Sequence, residues 1–282
     1  MDGSINLLKQ ALSTLKPSEQ KAASFIIADP SQVINLTITQ LAQKANTSTS
    51  AITRLCQKIG VESFSKFKLD LTKDLYSNSG EDTSLDLFDE KALESAKTIT
   101  DAMVDMVRQN VSLIGAVLDP DAIEKSCKAI ESARKILLVG VGASGLVAMD
   151  LQQKLIRLGI FPSFSTDTDV SLVQAETLGP KDLCMVFSYS GATPSILRIA
   201  QVASKQKCTI IAVTKIGDNR LAKLSDLILA VPESESLFRQ GATFSRISQL
   251  VIVDILYTNL IVQIPQGKEL LRSTWEIVHH DA

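Results

Sequence analysis

The chain has 282 residues, 45% of them hydrophobic and 21% charged, with a formal net charge of −2 at pH 7. That balance belongs to a soluble globular protein of one large or two smaller domains, and excludes a disordered, collagenous or disulfide-framed chain. The charge is uneven: residues 1–77 carry nine Lys and Arg against six Asp and Glu, a net of +3, so the remainder carries −5. A basic segment ahead of an acidic body points to a nucleic-acid module at the N-terminal side.

Cys56, Cys127, Cys184 and Cys208 lie far apart, each in an apolar stretch. No CxxC or Cys/His spacing supports a metal, so they are expected as buried free thiols, with no metal and no cofactor. The first residues lack the apolar core of a signal peptide. The most apolar late segment, residues 250–264, is interrupted by Asp254, Thr258 and Asn259. A cytoplasmic protein without a membrane span is the expectation.

Residues 7–29 place Leu8, Leu12, Leu15, Ala22, Phe25 and Ile26 at helical spacing, as core residues of a helical stretch. Thr37-Ile38-Thr39-Gln40 is a capping box that opens a short helix with Ile38, Leu41, Ala42 and Ala45 on one face. Asn46-Thr47-Ser48 breaks it, because Asn tolerates the left-handed backbone of a tight turn. A second helix follows with Ala51, Ile52, Leu55 and Ile59 inward, closed by Gly60. Ala42 stands four residues before the turn residue, and Ile52 and Leu55 stand six and nine after it, the pattern of a helix-turn-helix.

The outward face of the second helix offers Ser48, Thr49, Ser50, Thr53, Arg54, Gln57 and Lys58. Short hydroxyls near a helix N-terminus meet phosphates and base edges, and Arg54 reaches a guanine or a phosphate. Lys66, Lys68 and Lys73 continue the positive charge. The plainer alternative is a helical hairpin with a solvated polar face.

Residues 77–84 are polar and contain a glycine, as an inter-domain linker would. Residues 90–118 then repeat Leu93, Ala96, Met103, Met106, Val107, Leu113 and Val117 near the helical period, for core packing or a dimer contact. The expected organisation is an all-α helix-turn-helix domain over 1–77, a linker and long connecting helix over 78–118, and an α/β domain over 119–282.

Beyond residue 135, apolar runs at 136–139, 160–164, 183–187, 209–213 and 227–231 alternate with helical patterns, which predicts a doubly wound parallel sheet. Two glycine-containing loops follow strands: Gly140-Val141-Gly142-Ala143-Ser144-Gly145 and Ser188-Tyr189-Ser190-Gly191-Ala192-Thr193. In such sheets ligands collect at the carboxyl ends of strands. A dinucleotide reading passes on spacing, since Asp167 stands 22 residues after Gly145, but it leaves Asp167 in a loop and the second loop without a role. A sugar-phosphate reading uses both loops. Gly191 allows close backbone approach, Thr193 is placed to cap a helix begun by Pro194, and a helix N-terminus suits a phosphate dianion. Ser144, with the backbone of Gly142 and Gly145, faces the sugar hydroxyls or the other side of the phosphate.

GVGASG followed by SYSGAT resembles the sugar isomerase (SIS) domain. Joined to the N-terminal helix-turn-helix, the chain resembles the MurR/RpiR family of bacterial transcriptional regulators over roughly residues 5–75 and 120–265. The resemblance implies a homodimer or homotetramer formed through SIS domains, operator DNA bound by the N-terminal domains, and a phosphosugar effector. It implies Ser188, Tyr189, Ser190, Gly191 and Thr193 as the phosphate loop, and Gly142, Ala143 and Ser144 as the facing sugar contact. It further implies Thr166 and Asp167 near the sugar ring, and Arg246, with Phe244 and Ser245, closing the site across a subunit interface.

A phosphosugar isomerase is the alternative, and it needs a positioned base. His279 and His280 lie near the end of the chain, while Glu233 and Glu235 follow the last predicted strand. A DNA-binding domain on the same chain favours a sensor, with no catalytic residue. A repressor of sugar or amino-sugar catabolism genes, answering to an amino-sugar 6-phosphate, is the expectation from the resemblance.

Overall fold

A computed structural model describes residues 4–34, 36–77, 95–233 and 242–279, excepting the side chains of residues 73 and 75–77. Of the predicted linker at 77–84 only residue 77 is described, at the end of a helix, and the start of the predicted long helix lies outside those residues. The chain divides into two units, residues 1–117 and 118–282.

In the first unit, punctuating residues set the helix boundaries. The helices are α1 (Ser4–Ala11), α2 (Pro17–Ala28), α3 (Pro30–Val33), α4 (Ile38–Lys44), α5 (Thr49–Lys58), α6 (Phe64–Ser77) and α7 (Ala96–Val117), with a 3₁₀ turn at Leu12–Thr14. The periodic stretch 7–29 is therefore not one helix. Pro17 occupies the first position of α2 and holds Lys16 extended, so the chain turns where periodicity alone would continue it.

Thr37 and Gln40 form the predicted capping box: Gln40 N–H donates to Thr37 Oγ1 (3.2 Å) and Thr37 N–H donates to Gln40 Oε1 (2.9 Å). Asn46 is left-handed at φ 49°, and Thr47 N–H reaches back to Ala42 O (2.9 Å), closing α4. Gly60, at φ 78°, closes α5 in the same way through Val61 N–H to Cys56 O (2.9 Å). Leu8, Ile26, Leu41, Ile52, Leu55 and Phe67 fill one core between these helices. Burying each such side chain contributes roughly 1.5–3 kcal/mol relative to leaving it in water.

The second unit runs α8 (Pro120–Ser132), β1 (Ile136–Gly140), α9 (Gly142–Ile156), β2 (Ser163–Phe164), α10 (Thr168–Glu176), β3 (Leu183–Phe187), α11 (Pro194–Lys205), β4 (Thr209–Lys215), β5 (Leu227–Val231), α12 (Thr243–Gln263) and α13 (Gly267–His279). All five strands are parallel, in the order β2-β1-β3-β4-β5. Leu137, Val139, Cys184, Val186, Ile210 and Ala212 pack on α10 and α11, while α8, α9 and α12 cover the other face. Both faces are covered, so β1 and β3 are buried at every position.

The second strand is shorter than its apolar run predicts. Ile160 N–H closes α9 by bonding Leu155 O (3.1 Å) after a left-handed Gly159, and only Ser163 and Phe164 pair with β1. At the amino end of the sheet, Asp182 accepts from Arg134 Nε (2.9 Å) and Nη2 (2.8 Å) and from Gly179 N–H (2.8 Å). Arg134 holds that carboxyl below the usual carboxylate range.

All four cysteines are buried and unpaired, as expected, and burial pushes the Cys56 thiol up to about 12. By length and composition α12 is apolar enough to cross a membrane. In the fold it packs on α8, α9 and β5, and its Ile252, Val253, Leu256 and Leu260 are buried.

Candidate functional site

The order β2-β1-β3 makes a switch point: the chain leaves β1 for one neighbour, then returns to its other side. Gly140 and Phe187 are register partners there, so the loops after β1 and β3 emerge side by side. Between them lies a cavity of about 180 Å³ lined by Val141, Gly142, Ala143, Ser144, Phe187, Ser188, Tyr189, Ser190, Thr193 and Ala242. The two loops that stand apart in sequence thus meet across one space. It opens at the N-termini of α9 and α11, whose dipoles favour an anion.

Glycines make this close approach possible. A Cβ on Gly140 would stand 2.7 Å from Ser144 O, so only Gly lets the first turn of α9 fold back over β1. Gly191 is left-handed at φ 61°, and a Cβ there would fall 1.9 Å from Asn219 Oδ1. Asn219 is in turn fixed, donating from Nδ2 to Lys215 O (3.2 Å) and accepting from Ala222 N–H (2.9 Å).

The hydroxyls have a defined polarity. Ser190 Oγ accepts from Ala192 N–H (3.3 Å), which leaves its own hydrogen for a ligand. Ser188 Oγ donates to Thr193 Oγ1 (3.4 Å), so the Thr193 hydrogen is likewise available. Thr193 is the N-cap residue of α11, yet its hydroxyl makes no cap bond, contrary to the expectation from sequence. Ser144 is the opposite case. Gln249 Nε2 donates to Val213 O (3.4 Å), which turns Gln249 Oε1 toward Ser144, and Ser144 Oγ donates to it (3.1 Å). Ser144 therefore presents an acceptor to the cavity. Among the described residues, no Lys, Arg, Asp, Glu or His lines it.

Gly191, Thr166, Asp167 and Arg246 are not among the lining residues. Asp167 caps α10, accepting from Asp169 N–H (2.8 Å) and Val170 N–H (3.3 Å), a structural task that also removes the acidic residue from the dinucleotide reading. Arg246 sits in the first turn of α12, its N–H bonded to Ala242 O (3.1 Å). Glu233 pairs with Lys215 (2.5 Å), and His279 ends α13 stacked on Trp275. Glu235 and His280 lie outside the described residues. Gln249 and Ala242 escaped the sequence reading. A glutamine in the middle of an apolar helix, one turn beyond Ser245, was the available signal.

In the first unit, the N-cap Ser48 and, on α5, Thr49, Ser50, Thr53, Arg54, Gln57 and Lys58 are all exposed. Ser48 caps the helix by accepting from Ala51 N–H (3.2 Å), leaving its hydrogen to donate. Thr53 Oγ1 donates back to Thr49 O (3.1 Å) and so faces outward as an acceptor. Lys66 pairs with Asp70 (3.3 Å) along α6. Lys68 departs from the predicted exposed basic run: it is buried, with Nζ 5.6 Å from the Phe64 ring centre.

Arg54 and Lys58 converge on one carboxylate. Glu19, buried on α2, accepts from Arg54 Nε (3.3 Å), Lys58 Nζ (2.8 Å) and Lys16 N–H (3.0 Å). Lys58 foremost, then the Lys16 amide and Arg54, hold this carboxyl down at about 2 against the opposing effect of burial.

Residues 3–78 match the model of the helix-turn-helix domain of the rpiR family, and residues 129–259 match that of the SIS domain. An uncharacterized HTH-type transcriptional regulator of Caldanaerobacter subterraneus is 34% identical over 89% of this chain and 88% of its own. A second, from Thermotoga maritima, is 31% identical over 96% of both chains. The structure of the Vibrio vulnificus NanR protein complexed with ManNAc-6P is similar at 25% identity, covering 98% of each chain with a TM-score of 0.61. The sugar isomerase domain of an RpiR transcription factor from Sphaerobacter thermophilus shares the fold at 22% identity and a TM-score of 0.56, covering 62% of this chain and 97% of its own.

A helix-turn-helix module followed by a SIS domain defines a class of DNA-binding regulators. The chain belongs to the RpiR family of HTH-type transcriptional regulators. Relatives named as regulators match almost the whole chain, which places it with them rather than with the isomerases that share the SIS fold.

Proposed function

We propose that this regulator binds operator DNA through α5 as a homodimer or homotetramer, and that a phosphosugar in the cavity between β1 and β3 modulates that binding. The polarity of the cavity carries the reading. Ser190 and Thr193 present hydrogens to an anion at the N-terminus of α11, while Ser144 presents an acceptor to a sugar hydroxyl or an amide N–H. A molecule with a phosphate at one end and donors at the other satisfies both sides. The NanR structure holds ManNAc-6P, which supports an amino-sugar 6-phosphate as the first candidate.

In this reading, residues 1–77 form the DNA-binding domain, 78–118 the linker and connecting helix, and 119–282 the effector domain. DNA contacts fall to Ser48, Thr49, Ser50, Thr53, Arg54, Lys58 and Lys66. Thr166, Asp167 and Arg246 serve the effector from outside the cavity lining, Arg246 near a subunit interface. A two-fold oligomer sets two α5 helices on the half-sites of an inverted repeat, roughly one helical turn or a multiple apart. The phosphosugar releases DNA by binding more tightly to an arrangement with the wrong spacing, since only differential affinity shifts such an equilibrium. The protein then acts in the cytoplasm as a repressor of sugar or amino-sugar catabolism genes.

Fluorescence anisotropy of DNA fragments from upstream of the gene and its neighbours, with and without a panel of sugar phosphates, tests this. Saturable binding shifted by one phosphosugar is the expected result. Binding that no member of the panel shifts, or turnover of a sugar phosphate without sequence-preferring DNA binding, overturns it.

A further inference from the structure

We propose that Glu19 is a positioning residue for DNA reading: from beneath α5 it fixes Arg54 and Lys58 in the orientation that discriminates one sequence from another. This rests on α5 being the DNA-reading helix.

Three observations converge. Glu19 is fully buried, an unusual place for a carboxylate, and it is tolerated because three donors surround it. Two of those donors belong to the exposed face of α5, and the side chains of Arg54 and Lys58 keep 49% and 39% of their surface exposed. The pairing uses the Nε edge of Arg54, whose Nη groups carry the fork that fits guanine or phosphate. A flexible arginine must lose its rotamer freedom on binding; one already held at Nε has lost most of it beforehand. One carboxylate against two cations leaves the cluster with a net positive charge, still attractive to phosphate.

The arrangement also supplies a specific variant. Glu19 stands at the third position of α2 and reaches back to the Lys16 amide, a place that Gln fills equally well. Glu19→Gln therefore keeps the helix cap and removes the charge that holds α5's two cations. The test uses the full-length protein. A duplex is selected by the wild type from a randomised library, and the same duplex with its bases shuffled serves as the non-specific control.

The expected result is a roughly tenfold fall in the ratio of selected to shuffled affinity, about the discrimination of one bidentate arginine contact. Binding to the shuffled duplex should be unchanged or slightly tighter, since a negative charge has gone. In the Arg54→Ala, Lys58→Ala background the same substitution should change the ratio by less than twofold, because Glu19 acts through those two side chains. An unchanged ratio overturns the proposal. So does an equal loss on both duplexes with helical content intact, which would make Glu19 a support for α5 and no more. If Glu19→Gln fails to fold, Glu19→Asp keeps the charge but shortens its reach by one methylene, and must lower the ratio in its place. A wild type that selects no sequence defeats the DNA reading itself, a failure distinct from these.

Discussion

Helix α5 and the cavity between β1 and β3 are assembled in opposite ways. The six polar residues of α5 and its N-cap Ser48 come from one continuous segment, so their spacing in sequence is already their spacing in space. The cavity draws Val141–Ser144, then Phe187–Ser190 with Thr193, and Ala242 from three separate stretches, joined by sheet register and by Gln249 against Ser144. The two also differ in charge. Arg54 and Lys58 carry net charge held by a buried carboxylate, whereas the cavity relies on hydroxyls and helix dipoles. A surface that meets a long polyanion needs countercharge along its length, while a small dianion is held by a few directed donors.

The comparison breaks first if the two units are not energetically separate. Ile52 is fully buried in the first core, so Ile52→Ala should destabilise residues 1–117 by about 2–5 kcal/mol. Calorimetry should then show an earlier transition for the DNA module and an unmoved one for the α/β unit. A single transition that shifts as a whole would contradict separate units.

Gly191→Ala sharpens the cavity side. The added methyl would collide with Asn219 at a left-handed position, and overpacking of this kind costs about 1–3 kcal/mol. Effector affinity should fall by up to two orders of magnitude in titration calorimetry, while DNA binding without effector stays within twofold. Next in size, Arg54→Ala should weaken DNA binding by about 1–3 kcal/mol and leave effector titration unchanged. Ser190→Ala should do the reverse, by about 1–2 kcal/mol, measured on the same two assays.

The smallest effect expected is a pH signature. The Glu19 carboxyl is lowered from 4.5 to about 2, so its contribution to the stability of the first unit is fully present above pH 4.5. It is lost as pH falls from there toward 2. Circular dichroism of the acid limb should show this loss, and Glu19→Gln should flatten it.

What was legible beforehand follows the same division. Local chemistry wrote the caps of α4 and α5, the left-handed Asn46 and the exposed face of α5 plainly, because each depends on residues within one or two turns. Periodicity placed Leu8, Leu12, Leu15, Ala22, Phe25 and Ile26 in or against the first core although Pro17 breaks the helix between them; it failed at residues 160–162, where Ile160 N–H is spent closing α9. The glycine and hydroxyl loops were visible as well, as was their likeness to a phosphosugar domain. Gln249 was not, since it lies more than a hundred residues from the serine whose polarity it sets. Nor was Glu19, whose two cationic partners stand 35 and 39 residues away.

By itself, then, the sequence determined the two modules, their helix and strand types, and which residues each could offer to DNA or to a ligand. Short-range hydrogen bonding and the burial period of helices and strands are properties of neighbours along the chain. Tertiary structure alone decided which offers are made jointly. The β1–β3 pairing brought two loops across one cavity, Gln249 turned Ser144 into an acceptor, and Glu19 gathered Arg54 and Lys58. Those outcomes depend on distances between residues far apart in the chain, which only the packed core sets.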